Sequence, residues 1–173
     1  MNEIINAMIE RRSCKNYKSE MLPKETIDKV IEAGLWAANG RGLQTPVIIA
    51  VTNKETRDKL STINANVMGA GNDPFYNAPV VLIVLAPKDH PNRVYDGSLV
   101  MGNMMLAAHS LGIGSCWIHR AKEVMEMPEG KEILKSLGIE GEWEGIGNCV
   151  LGYVDGELKS PQPRKDGRVY WID

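Results

Sequence analysis

The chain has no surplus of either charge. Its 20 Lys and Arg stand against 22 Asp and Glu, a formal net charge of -2, which gives nucleic acid or an anionic membrane surface no bulk electrostatic hold. Cysteine is sparse: Cys14, Cys116 and Cys149 are odd in number and form no C-x-x-C pair, which argues against a disulfide framework or a zinc site and leaves reduced, mostly buried thiols. Long apolar runs are missing too. The longest, Ala78 to Ala86, falls far short of the roughly 20 residues that span a bilayer. With no signal pattern at the N-terminus, a soluble, cytoplasmic protein is expected. No linker composition divides the 173 residues, so a single domain with its own core is expected. The histidines His90, His109 and His119 fall in no nucleophile or metal-ligand motif, so hydrolytic and metal chemistry find no support.

What the chain does have is one stretch around which the rest is organised, Asp96 to His119. Leu99, Val100, Met101, Met104, Met105, Leu106, Ala107, Ala108 and Leu111 leave almost no polar face, the pattern of a helix packed on several sides. Asp96 is placed to cap this helix and Gly112 to close it in a left-handed conformation. Ser98 and Gly102 lie one turn apart, which suits tight helix packing better than ligand contact. A strand, Gly114 to Ile118, follows.

Upstream, Ile4, Ile5, Met8 and Ile9 trace a short amphipathic helix ending near Arg11. Arg11, Arg12 and Lys15 then gather around the hydroxyl of Ser13, a local positive site suited to a phosphate; taken alone, such a cluster is solvated surface more often than a site. Pro23 opens a second helix whose face runs from Ile27 to Ala38 and Gly40. Asn39, Gly40 and Gln44 sit in a loop whose glycines permit close backbone approach, or serve as an ordinary helix end. Val47 to Val51 and Ala78 to Ala86 read as strands, and Asn53 caps a helix from Lys54 to about Val67. Phe75 and Tyr76 line a pocket or plug the core. Pro128 starts a short helix that Gly138 ends, and Asn148 to Val154 gives a last strand. Helices interleaved with a few apolar strands indicate an α+β fold. The tail from 155 to 173 has too few apolar residues to pack independently, yet exposing Val169, Tyr170, Trp171 and Ile172 would be costly.

The central stretch closely resembles the nitroreductase superfamily of flavoenzymes, whose pattern D-x6-N-x2-L-A-A-x2-L-G-x-G-x2-W is matched by Asp96, Asn103, Leu106, Ala107, Ala108, Leu111, Gly112, Gly114 and Trp117. At the N-terminus the family's R-R-S-x-R/K-x-F/Y motif is matched by Arg11, Arg12, Ser13, Lys15 and Tyr17. In the tail its P-x-x-R is matched by Pro161 and Arg164 with Lys165 beside it, while Gln162 stands where a lysine is frequent, so that Lys165 or Arg168 has to supply that charge.

The resemblance implies a mainly antiparallel central sheet flanked by helices, in a domain-exchanged homodimer whose 155–173 arm crosses to the partner subunit. It implies FMN as cofactor and NADH or NADPH as electron donor. Arg11, Arg12, Ser13, Arg164 and Lys165 would hold the phosphate and ribityl chain, and Lys15 the flavin pyrimidine edge. Asn39, Gly40 and Gln44 would supply loop contacts, with Ala38 and Asn39 departing from the family's usual Pro and Ser. Asn66, with Asn64 close behind, would touch the pyrimidine ring. Trp117 and Ile118 would pack beside the flavin, and a backbone N–H of His119 or Arg120 would lie near N5. The implied activity is a ping-pong reduction of a small-molecule electron acceptor, such as a nitroaromatic or quinone, without a side-chain acid or base; the His119 side chain is the alternative proton donor. The competing reading is a flavin-binding or redox-sensing module without steady turnover.

Overall fold

Eight consecutive residues, Val80–Pro87, form the strand β2, and all but the last are buried. A strand that apolar on both faces must be covered on both. Its residues divide by parity: Val81, Ile83 and Leu85 enter one apolar cluster, while Val80, Leu82 and Val84 enter another. This alternation sets up three layers.

The computed structural model describes residues 2–173. In chain order the elements are α1 (Glu3–Glu10), α2 (Lys24–Leu35), β1 (Val47–Val51), α3 (Lys54–Met68), β2, α4 (Arg93–Ser110), β3 (Gly114–Ile118), α5 (Ala121–Glu126), α6 (Pro128–Ser136) and β4 (Trp143–Gly152). The strands form one sheet in the order β1-β2-β4-β3, every pair antiparallel. Ile27 and Val30 of α2 and Val100, Met101, Met104 and Ala108 of α4 cover one face. Leu60 of α3, Val124 and Met125 of α5 and Leu134 of α6 cover the other. Burying a Leu, Ile or Met side chain stabilises by about 1.5–3 kcal/mol relative to exposure, so β2 and its two coats carry much of the fold. The expected α+β class and antiparallel sheet are both present. No helix among the described residues is long and apolar enough to cross a membrane.

Several expectations are corrected. The central helix begins at Arg93, with Asn92 at its N-cap. Asp96 is therefore inside the helix, only 4% exposed, and accepts from the backbone N–H of Gly40 at 2.9 Å. At the other end Gly112 does take φ +72°, and the N–H groups of Gly112 and Ile113 close the helix on His109 and Ala108. Nor is α4 buried all round. Leu99 is 49% exposed, and a Cβ on Gly102 would meet nothing within 4 Å, so the tight packing expected there is not made within one chain. The α2 helix stops at Leu35, five residues short of Gly40. β4 starts at Trp143 and not at Asn148, because Gly145 and Gly147 allow close approach: a Cβ on Gly145 would lie 2.3 Å from the backbone of Ala121, and one on Gly147 2.7 Å from the Trp117 ring. The helix α5 was not foreseen. Phe75, 1% exposed, plugs the core.

Candidate functional site

The basic segment after α1 is held at the sheet edge by its own alternation. Ser13 bridges Ser115 of β3 in parallel, the Cys14 N–H donates to the Ser115 carbonyl at 2.9 Å, and Tyr17 bridges Val154. Cys14 and Tyr17 turn inward, the Tyr17 hydroxyl donating to the Cys14 carbonyl at 2.9 Å; Ser13, Lys15 and Asn16 stay exposed. The Lys15 ammonium lies 5.8 Å from the centre of the Tyr76 ring. Arg12 donates to the carbonyls of Ile9 and Arg11 and so closes the end of α1. A cavity of about 320 Å³ opens here, lined by Arg12, Ser13, Lys15, Asn16, Asp155 and Lys159 among others. Beside it Arg11 Nη1, Arg12 Nε and Ser115 Oγ are buried without a hydrogen-bond partner among the described residues. Buried donors of this kind cost about 1–3 kcal/mol each when unmet, so the edge of β3 is poised for an acceptor. A larger cavity of about 410 Å³, beneath α5 and α6 between Lys88 and Trp143, contains none of the predicted site residues.

The turn after β3 is the second part. Ile118 is buried, and Trp117, half-buried, packs on the α2 and α4 side with its Nε1 unpartnered. Asn64, fully buried on α3, donates to the His119 carbonyl at 2.9 Å and accepts from Arg120 Nε at 3.1 Å. Asn148 of β4 donates to the carbonyls of Ile118 and His119 at 3.3 Å each. With its carbonyls so occupied, the chain passes through Arg120 at φ +73°, and the backbone N–H groups of His119 and Arg120 have no acceptor among the described residues. Asn66 lies elsewhere: it is exposed and lines a groove with Ser61, Gly71 and Asp73.

The third part is the loop before β1. Asn39 Oδ1 accepts from the Gln44 N–H at 2.8 Å, and Gly40 is fixed on Asp96. Arg41 and Gln44 both take positive φ, at 58° and 52°. This loop leads into β1 at one edge of the sheet, whereas Ser13 bridges β3 and His119 follows it at the opposite edge. Arg164 and Lys165 form the fourth part, in a segment exposed from Asp155 to Asp173. One chain thus brings Arg11, Arg12, Ser13 and Lys15 together, and separately Trp117 to Arg120 with Asn64. It does not bring the Asn39–Gln44 loop or Arg164 to either.

Among the side chains that sequence reasoning passed over, Ser115 and Asn148 had a signal: Ser115 is the lone polar residue of β3, and Asn148 is the lone polar residue of the run Gly145–Gly152. The cysteines are all free and buried. Burial pushes the Cys116 thiol above its ordinary value despite Ser13, Lys15 and Arg11 nearby, and pushes Cys149 up to about 12. Both are protonated thiols at neutral pH, as packing residues would be.

Residues 8–72 and 64–153 match the model of the Nitroreductase family. An Archaeoglobus fulgidus protein provisionally named NADH dehydrogenase/NAD(P)H nitroreductase is 31% identical over 171 residues, covering 96% of this chain and 90% of that one. An FMN reductase [NAD(P)H] of Bacillus subtilis is 26% identical over 159 residues; the match takes in 75% of this chain but 61% of that longer protein. The crystal structure of a Bacteroides fragilis nitroreductase with bound FMN superposes with a TM-score of 0.91 at 27% identity, covering 100% of both chains. With that sheet order, those motifs and a match across most of its length, the chain belongs to the Nitroreductase family.

Proposed function

We propose that this protein is an FMN-dependent oxidoreductase that draws electrons from NADH or NADPH and passes them to a small acceptor such as a nitroaromatic or quinone. The observation that carries this reading is the set of unpartnered buried donors at the β3 edge, Arg11 Nη1, Arg12 Nε and Ser115 Oγ, beside the exposed Ser13 and Lys15. Such a donor set fits a phosphate, and charge-assisted hydrogen bonds are the strong ones. The names of the relatives and the FMN in the Bacteroides fragilis structure support the same cofactor.

Bound FMN would supply the two-electron chemistry, so the protein has only to position it and tune its charge. Arg11, Ser13 and Ser115 would hold the phosphate end. Lys15 would meet negative charge on the pyrimidine edge. The unpaired N–H groups of His119 and Arg120 would offer backbone donors to the reacting edge, held there by Asn64 and Asn148, and a donor preset in this way needs no reorganisation during reaction. Trp117 and Ile118 would pack beside the ring. Neither a side-chain acid nor a base is required.

The separation of the Asn39–Gln44 loop and Arg164 from the β3 edge favours a homodimer, in which a second copy supplies what one chain lacks. The α1 helix, with no buried residue, and the uncovered side of α4 would then face that copy, and the 155–173 arm would cross to it.

Titration with FMN and with riboflavin tests the phosphate assignment. Arg11→Ala should weaken FMN by about 1.5–3 kcal/mol, the worth of a hydrogen bond to a charged group, and leave riboflavin almost unchanged; equal weakening of both would overturn it. Steady oxidation of NADH or NADPH with parallel double-reciprocal lines is the expected kinetic pattern. Flavin binding without turnover would favour a sensing module instead.

A further inference from the structure

We propose that Asp96 is a positioning residue: a buried latch that holds the Asn39–Gln44 loop in the shape it presents to the flavin. The flavin part of this statement rests on the function proposed above; the latch itself rests on geometry. The Asp96 carboxylate is only 4% exposed and has both oxygens engaged, Oδ1 by the Gly40 N–H at 2.9 Å and Oδ2 by His90 Nε2 at 2.9 Å. A buried carboxylate is expensive unless it is hydrogen-bonded, and here one of its two partners is the backbone of a loop 56 residues away.

The loop has reason to need holding. Two of its non-glycine residues, Arg41 and Gln44, stand at positive φ, a conformation that costs free energy and persists only where the surroundings over-determine it. Among its restraints, two act at long reach or across the loop. Asn39 Oδ1 accepts from the Gln44 N–H and closes the loop on itself. Gly40 is seated on α4, so closely that a Cβ there would lie 2.3 Å from Asn92 Nδ2. The first restraint shapes the loop; the second anchors it to the start of α4. His90, occupying Oδ2, fixes the orientation in which Oδ1 faces Gly40.

Arg41 is exposed, so trypsin reads the loop directly and without flavin. Asp96→Leu, which removes both acceptor oxygens, should speed cleavage after Arg41 at least tenfold while cleavage at other basic residues stays near its original rate. Asp96→Asn retains an acceptor for Gly40 and should restore most of the protection. If Asp96→Leu is cleaved after Arg41 at the unaltered rate, or all sites accelerate together as in global unfolding, the latch is refuted. FMN titration of the same variants separates the two parts. A loosened loop with severalfold weaker FMN binding supports both; a loosened loop with unchanged FMN binding keeps the latch and refutes the loop's flavin role. Should Asp96→Leu not fold, amide exchange in the unaltered protein decides. The Gly40 amide should exchange at least tenfold more slowly than the Arg41 amide, which has no bonded acceptor; equal rates would refute the latch.

Discussion

Asn64 and His119 are 55 residues apart in sequence and joined by one hydrogen bond of 2.9 Å, from the Asn64 side chain to the His119 carbonyl. With Arg120 Nε bonded to its oxygen, Asn64 meets the turn after β3 with both ends of its amide. The turn is held by α3, a helix of the same layer as the α5 it leads into, which fixes where the neighbouring N–H groups point.

Replacing Asn64 with Leu should therefore do two things. It takes one of two donors from the His119 carbonyl and leaves Arg120 Nε without its acceptor, at a cost of about 1–3 kcal/mol, read as a lower urea midpoint. It should also slow flavin reduction in stopped flow, because the turn loses one of its two supports. Reduction at the unaltered rate with the stability loss in place would show that Asn148 alone sets the turn.

Asp73 organises the loop between α3 and β2. Burial pushes its carboxyl up, but hydrogen bonds from Ser61, Arg57 and the N–H groups of Asn77 and Phe75 outweigh that and hold it below the ordinary carboxylate value. The bonds from Phe75 and Asn77 measure 2.9 and 2.7 Å. A group whose folded pKa is depressed contributes stability that is present above its unfolded value, about 3.9 for Asp, and is lost as pH falls through the folded value. Asp73→Asn should cost about 1–3 kcal/mol at pH 7 and less at acid pH. Urea midpoints at pH 7 and pH 3 check this; an equal cost at both would remove the charge from the explanation.

Gly147 lies under Trp117. An added methyl would sit 2.7 Å from the indole, and overpacking of this kind costs about 1–3 kcal/mol. Gly147→Ala should shift the tryptophan emission and lower the melting temperature, and Trp117→Leu in the same chain should recover part of the loss. Additive losses in the double variant would mean that the methyl meets something other than the indole.

The arm predicts its own test. Val169, Tyr170, Trp171 and Ile172 are at least 70% exposed in one chain, an apolar surface that a second copy would cover. Truncation after Val154 should yield a poorer dimer in sedimentation and weaker FMN binding. A stable dimer with full FMN content would sink the crossing arm and, with it, the place of Arg164 in the phosphate site.

Local chemistry was legible in the sequence wherever a residue acts on its immediate neighbours. The strand Gly114–Ile118 was bounded by Gly112 and by the end of its apolar run, and both limits hold. The cap of α3 by Asn53, accepting from the Thr56 N–H at 2.9 Å, follows from a side chain that reaches only three residues. The Arg11–Lys15 cluster needed nothing but adjacency. Asp96 was misread for the same reason turned round: its residue type and position fit a cap, but its partners are Gly40 and His90, which no local pattern reveals. The strand read from Asn148 begins five residues earlier, because the end of β2 pairs with Trp143, Glu144 and Gly145. Only the tertiary structure set Ser13 against Ser115 and Asn64 against His119, and put the Asn39–Gln44 loop at the opposite edge of the sheet. An apolar stripe records that a face is to be covered, and a lone polar residue that a bond is to be made. Neither records by what, because hydrophobic burial is non-directional and a hydrogen bond carries no memory of the length of chain between its partners.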